Sequence, residues 1–208
     1  VLEGALITSA TGTATTDERF PNVTELFLNG GDFQTLIHGQ HSMPIVVGPN
    51  GGTLSVSSSS SANTIHFNGD ISGVGTLKFA GQSTININGT ENTWSGGTIF
   101  ARNGGNLNIS ADSSLGSGDV RIQNTSGSIN FYGNSSIAPT AKVWITGGNL
   151  ALYYVGTVPI AELNGIGGTI TLGPDSGSGT NKLQLGSQNG SMEIYGSINN
   201  SHTGNKRL

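Results

Sequence analysis

Apolar and polar residues alternate in short runs along most of the chain, and turn-forming residues separate these runs. Strict alternation over four or five residues predicts a β-strand with one buried face. One series of runs begins at residues 64, 84, 106, 128, 149, 169 and 191, in steps of 20 to 22 residues. A second series begins at 76, 98, 119 and 142, continues through a weaker run at 161 and ends at 182. Each repeat of about 21 residues is therefore predicted to supply two strands.

A constant period of this length predicts an all-β fold, a parallel β-solenoid in which each coil stacks on the one before. One repeat cannot bury its own apolar side chains, whereas equivalent strands of neighbouring coils can bury them together. The alternative, an antiparallel sandwich, needs short hairpin turns and has no reason to keep a period. The first series predicts two buried columns: Ile65, Ile85, Leu107, Ile129, Leu150, Ile170 and Met192 in one, and Phe67, Ile87, Ile109, Phe131, Leu152, Leu172 and Ile194 in the other.

The composition agrees with tight coils. Glycine accounts for 34 of 208 residues and charged residues for only 10%, and glycine and asparagine supply the corners with positive φ that such a coil needs. The net charge of −4 argues against nucleic acid as a partner. No apolar run is long enough for this segment to insert into a membrane. The absence of cysteine excludes disulfides and thiol chemistry.

The chain is interpreted as one continuous domain and as a piece of a larger protein. Residues 51–208 carry the regular repeats, and residues 1–50 are interpreted as irregular N-terminal coils or a cap. In that first part, the candidates for earlier coils at shorter spacing are the pair Leu26 and Leu28, the single residue Leu36, and the pair Ile45 and Val47. Terminal repeats of solenoids commonly depart from the consensus because they cap the core.

Residues 73–120 resemble the autotransporter-associated β-strand repeat. The matching pieces are "GTL" from Gly75, "NTWSGGT" from Asn92, "GNL" from Gly105 and "SLGSG" from Ser114, in the order that the family has them. The resemblance covers about a quarter of the chain well. It implies a right-handed parallel β-helix outside the cell, carried on a large bacterial surface protein, without enzyme activity or catalytic residues.

Side chains that carry chemistry are sparse in the repeats. The carboxylates are scattered over different positions of the period, so no catalytic pair is expected. His38 and His41 lie three positions apart with Asp32 nearby, but two solvated histidines are a more economical interpretation than a metal site. We therefore expect no catalytic residues, no metal and no cofactor. A polysaccharide-active β-helix enzyme remains the alternative.

Outward positions of the repeats carry an unusual number of aromatic and amide side chains. Asn86, Asn108 and Asn130 are predicted to form a ladder of hydrogen-bonded amides on the outer surface. The other series places one outward residue per coil, in the order Lys78, Phe100, Arg121, Trp144, Glu162 and Gln184. Exposed aromatic rings can hold sugars, so the candidate glycan-binding residues are Phe100, Arg121, Trp144 and Lys142 on one face, and Tyr132, Tyr153 and Tyr195 on the other. Alternatively, the rings stack only on one another and on Arg121.

Three functional hypotheses follow. The first is a non-enzymatic, extracellular β-helix segment of a large bacterial surface protein, acting as a stalk or adhesin with contact to host or environmental glycans or cell surfaces. The second is a polysaccharide-active enzyme or a fragment of one. The third is a structural spacer without a ligand.

Overall fold

The computed structural model describes residues 5–8, 22–35, 39–56, 64–102, 104–110, 112–123, 126–153, 156–173, 181–186 and 193–200. Within these ranges the regular structure is all strand, without a helix. Every pairing between the strands is parallel. The fold is a β-solenoid, as the period predicted. Because no described segment is helical, the described part contains no candidate membrane-spanning helix.

Two long sheets form two sides of the solenoid. In spatial order, the nine-stranded sheet contains β1 (Ala5–Thr8), β3 (Asp32–Thr35), β6 (Gly52–Val56), β9 (Leu77–Gly81), β11 (Thr98–Arg102), β13 (Val120–Ile122), β15 (Lys142–Ile145), β18 (Glu162–Gly165) and β21 (Glu193–Ile194). The eight-stranded sheet contains β4 (Gly39–His41), β7 (Thr64–Phe67), β10 (Thr84–Ile87), β12 (Asn106–Ile109), β14 (Ser128–Tyr132), β16 (Asn149–Tyr153), β19 (Thr169–Leu172) and β22 (Ser197–Asn200).

A third side corrects the prediction of two strands per repeat. It consists of β2 (Leu26–Leu28), β5 (Ile45–Val47) and β8 (Ile71–Gly73) in one sheet, and β17 (Gly156–Ile160) and β20 (Asn181–Leu185) in another. Between these two sheets the side continues with isolated bonds, such as the one from the Thr93 N–H to the Ile71 oxygen (2.8 Å) and the parallel bridge between Ser114 and Ser136. The longer gap in each repeat holds this side, and its pattern is too irregular to predict a strand.

The early apolar pairs are coils of the same solenoid. Leu26 pairs with Ile45 and Leu28 with Val47, and the next coil adds Ile71 and Gly73. All of these side chains except Gly73 are buried in the continuous core. Leu36 lies outside the described residues. The described part of the first 50 residues therefore joins the same core as the regular repeats.

The two predicted core columns are confirmed over most of their length. Ile65, Ile85, Leu107, Ile129, Leu150 and Ile170 pair in unbroken register and are almost entirely shielded from solvent. The column from Phe67 to Leu172 keeps the same register, and Leu172 is only half-buried. Such columns bury apolar area from every coil, which is the main stabilising contribution to a repeat fold.

The last coil departs from the predicted register. The step from Ile170 to its partner Ile198 is 28 residues, instead of the 20 to 22 of the earlier coils. The predicted member Ile194 is consequently misassigned, because strand β21 joins the nine-stranded sheet and β22 continues the eight-stranded one. Met192 itself lies outside the described residues. An insertion between strands changes the period without breaking the solenoid.

Glycine allows the backbones of successive coils to approach closely at the corners. At Gly73, φ is 111°, and an added Cβ would lie only 2.1 Å from the Val47 carbonyl oxygen. At Gly105, φ is 69°, and a Cβ would lie 2.2 Å from the Gln82 oxygen. Any other residue would therefore clash with the preceding coil as well as strain its own backbone.

Two residues of the "NTWSGG" segment hold the third side together from inside. The Asn92 side chain accepts a hydrogen bond from the Ile71 N–H (2.8 Å) and donates to the Gly89 oxygen (2.7 Å) and to Ser113 Oγ (3.0 Å). Trp94 is completely buried, and its Nε1 donates to the Gly97 oxygen at 3.2 Å. Asn92 therefore links its coil to the coils on either side, and Trp94 fills the core and closes its own turn, so the segment has a structural role.

Candidate ligand-binding face

The outer surface of the nine-stranded sheet brings one candidate residue from each coil into a row. Through parallel pairing, the row contains Lys78, Ile99, Arg121, Trp144 and Asn164, and we call these five residues the outward strip. Lys78 and Arg121 are exposed, whereas Ile99, Trp144 and Asn164 are half-buried. Neighbouring residues of the row are separated by one strand spacing, about 4.8 Å.

Phe100 does not belong to the outward strip, so its prediction as a glycan-binding residue is wrong. Thr98 pairs with Leu77, and Phe100 consequently lies beside Phe79 in the core, with no exposed surface. The prediction had aligned Thr98 with Thr76, one residue away. Because side chains alternate between the two faces of a strand, a shift of one residue exchanges inside and outside. Ile99 takes the outward position instead.

Arg121 and Trp144 are neighbours, as predicted, and they contact each other. The Arg121 guanidinium carbon lies 5.1 Å from the centre of the Trp144 ring, which is the geometry of a cation–π contact. The contact covers one face of the indole and restrains the guanidinium plane. Within the described part of the chain, Arg121 forms no hydrogen bond or ion pair through its side chain. Its five N–H donors are therefore available at the surface.

Lys142 lies beside the outward strip, and its charge is already paired. Its Nζ lies 3.0 Å from Glu162 Oε2, and Glu162 also accepts a bond from Asn164 Nδ2 at 2.5 Å. The hydrogen bond from Lys142, supported by the one from Asn164, lowers the pKa of Glu162. The same hydrogen bond raises the pKa of Lys142. Both partners are therefore charged at neutral pH, which makes Lys142 a poorer ligand donor than Arg121.

Two further members of the predicted outward row occupy other places. Glu162 pairs with Lys142, not with Trp144, so it flanks the strip. Gln184 pairs with Pro159 in the sheet of β17 and β20 on the third side. The weak run at 161 and the longer final coil explain these misassignments, because neither offers clear alternation.

The tyrosines divide between two faces. Tyr132 and Tyr153 pair across adjacent strands of the eight-stranded sheet, and their ring centres lie 5.6 Å apart. Tyr195, predicted to join them, instead follows β21, where its N–H donates to the Gly165 oxygen at 2.8 Å. Its side chain is 68% exposed. The tyrosine row therefore has two members, and Tyr195 lies at a different corner.

The predicted asparagine ladder is present on the eight-stranded sheet. Asn130 Nδ2 donates to Asn108 Oδ1 at 2.9 Å, and Asn108 Nδ2 donates to Asn86 Oδ1 at 2.8 Å. At the N-terminal end, Asn86 Nδ2 lies 3.1 Å from His66 Nδ1. A second row runs beside it, in which Asn88 Nδ2 donates to Asn68 Oδ1 at 2.7 Å. These amides satisfy one another, so they stabilise the coils more than they offer sites for a ligand.

Two carboxylates at the corners also form hydrogen bonds between neighbouring coils. Asp70 accepts a bond from the Glu91 N–H (2.9 Å), and Asp119 accepts one from the Lys142 N–H (2.9 Å). Each therefore joins its own coil to the next one.

One corner groove contains no ionisable side chain; it is lined by Ser126–Ser128, Gly147–Asn149, Gly168 and Thr169.

The histidine pair has a different environment from the one predicted. His41 is buried and lies between the rings of Phe33 and Phe67, with centre distances of 5.0 and 5.1 Å. It is therefore a core residue and not a solvated one, and His38 lies outside the described residues. Asp32 accepts a bond from Ser55 Oγ at 2.8 Å. The described residues include no group of three side chains suited to a metal ion.

Comparison with known proteins adds no assignment. No family model matches the chain, and no curated protein or solved structure matches it.

Proposed function

We propose that the chain is a non-enzymatic, extracellular β-helix segment of a large bacterial surface protein, where it acts as a rigid stalk or adhesin that contacts glycans. The observation that carries the proposal is the unbroken parallel register of the two long sheets. A stack of coils grows in one direction only, so added repeats lengthen the body without changing its cross-section. A rigid, elongated body of this kind could hold a binding surface at a distance from the bacterial cell.

The resemblance of residues 73–120 to the autotransporter-associated repeat supports the bacterial surface location. The structural roles of Asn92 and Trp94 agree with this resemblance, because a repeat motif is expected to maintain the coil. Contact with glycans is supported by the outward strip, which places Trp144 and Arg121 side by side on the outer surface of the nine-stranded sheet. Affinity at one site is expected to be weak, and the many coils of a surface protein would supply avidity.

The test is binding to an array of neutral and acidic polysaccharides by the wild-type chain and by Trp144→Ala. We expect the wild type to bind at least one class and the variant to bind it more weakly, because Trp144 orients Arg121. Phe27→Ala is the matched control, since it removes a half-buried ring from β2 on the third side. A chain that binds no glycan at all would support the ligand-free spacer instead.

A further inference from the structure

We infer that the glycan bound by the outward strip is acidic, and that Arg121 and Lys78 recognise its carboxylate or sulfate groups. The inference rests on the proposed function and names the chemical class of its ligand. It depends on how the charges of the nine-stranded sheet are paired.

The aromatic ring is poorly placed to hold a neutral sugar. A pyranose stacks on the flat face of an aromatic ring, but one face of Trp144 is covered by the Arg121 guanidinium at 5.1 Å. Trp144 is also half-buried between its neighbours in the row. Of the groups around it, Lys142 is bound by Glu162 at 3.0 Å, and Asn164 donates to Glu162 as well. The ammonium and amide donors beside the ring are therefore already engaged, and the free donors of the strip are those of its exposed cations.

The two remaining cations are free to bind an anion. Lys78 and Arg121 are exposed, and within the described part of the chain neither side chain has a carboxylate partner. The indole restrains the guanidinium plane, so Arg121 loses less conformational freedom when it binds a carboxylate or sulfate through two N–H groups.

The spacing of the cations fits a polymer. Lys78 and Arg121 are two coils apart, with Ile99 between them, so their backbones are separated by about 9.6 Å. An extended acidic polysaccharide carries charges at regular intervals and can lie across the strands with one anion at each cation. Ile99 would then contact the apolar face of the intervening sugar.

The experiment compares two forms of one polymer, polygalacturonate and its highly methyl-esterified form, on a biosensor surface. The free acid should bind and the ester should not, and added salt should weaken binding. Arg121→Gln and Lys78→Gln should each weaken binding about two- to fivefold, as expected for exposed ion pairs. The double variant should weaken it about tenfold, since separated sites contribute almost additively.

Lys182→Gln is the matched control, because it removes the same charge from an exposed residue on the third side. Arg121→Lys tests geometry, since it keeps the charge but loses bidentate binding, and it should fall between wild type and Arg121→Gln. The inference is overturned if the ester binds equally well, if Lys182→Gln weakens binding as much as Arg121→Gln, or if single-stranded DNA binds as tightly as the acid. Binding to neutral glycans alone would overturn it while leaving the proposed function intact. Binding to no glycan would overturn both.

Discussion

Asn108 donates from Nδ2 to Asn86 Oδ1 at 2.8 Å, across one coil of the solenoid. Its own Oδ1 accepts from Asn130, so one side chain links three successive coils. All three amides point in the same direction along the ladder, because each needs its neighbour's oxygen on one side and its nitrogen on the other. The ladder therefore works as a unit, and removal of a middle member affects both neighbours.

Replacement of Asn108 by alanine should lower the free energy of unfolding by about 1–3 kcal/mol, since it leaves a largely buried Asn130 donor without its acceptor. Thr171→Ala is the control, because this outward residue makes one hydrogen bond, to Asn149 Oδ1 at 3.1 Å, and should cost about 1 kcal/mol or less. Thermal unfolding of both variants measures the difference. Equal shifts of the midpoint would contradict a cooperative ladder.

Ile129 lies in the middle of a core column between Leu107 and Leu150. Ile129→Ala should destabilise the protein by about 2–5 kcal/mol, because truncation loses buried apolar area and leaves a cavity between coils. Since each coil contacts mainly its neighbours, we expect amide hydrogen exchange to rise most in the strands around β14. A uniform rise over all strands would show that the solenoid opens as one unit instead.

Asn92 is buried and bonds to three coils through Ile71, Gly89 and Ser113. Asn92→Ala should cost about 2–4 kcal/mol, because it leaves several polar groups without partners inside the protein. Asn134→Ala is the control: its amide makes one exposed bond, to Asp112 at 3.0 Å, so the change should stay within about 0.5 kcal/mol. Chemical denaturation measures both. A small effect at Asn92 would mean that water replaces its hydrogen bonds.

The Lys142–Glu162 pair should make stability depend on pH only at the extremes. The pKa of Glu162 is lowered in the folded state, so the stability it contributes is present above its usual pKa of 4.5 and is lost as pH falls through the folded value. The pKa of Lys142 is raised, so its contribution is present below its usual 10.5 and is lost as pH rises through the folded value.

Thermal midpoints of the wild type and Glu162→Gln measure this dependence. The difference between them should be constant from about pH 5 to pH 10 and should shrink below about pH 4, where the carboxylate of the wild type is neutralised. High salt should reduce the difference at neutral pH, because Lys142 is exposed and Glu162 is only half-buried. A difference that is the same at pH 3 and pH 7 would exclude the ion pair as its cause.

Regular alternation explains which parts of the fold could be predicted. In the series from residue 64 to residue 172, every repeat places apolar residues at the same two positions, so the fold class, two core columns and the asparagine ladder follow from the sequence. Because the coils stack in register, a residue at a given position of the repeat has the same surroundings, buried or exposed, in every coil. The contact between Arg121 and Trp144 followed for the same reason, because clear alternation placed both residues outward in adjacent strands.

The rest depended on interactions that alternation does not encode. Ile99 and Phe100 are adjacent and both large and apolar, so the run could be assigned to either face, and the core position beside Phe79 decides that Phe100 is buried. The longer final coil places Tyr195 and Gln184 away from the outward rows that the alternation predicted for them. In its middle coils the third side combines isolated backbone bonds with side chains such as Asn92 that bond to distant backbone. The sequence by itself determined the repeat and the faces of its regular strands, whereas pairing between coils decided the register at each irregular step, because a shift of one residue exchanges the buried and exposed sides.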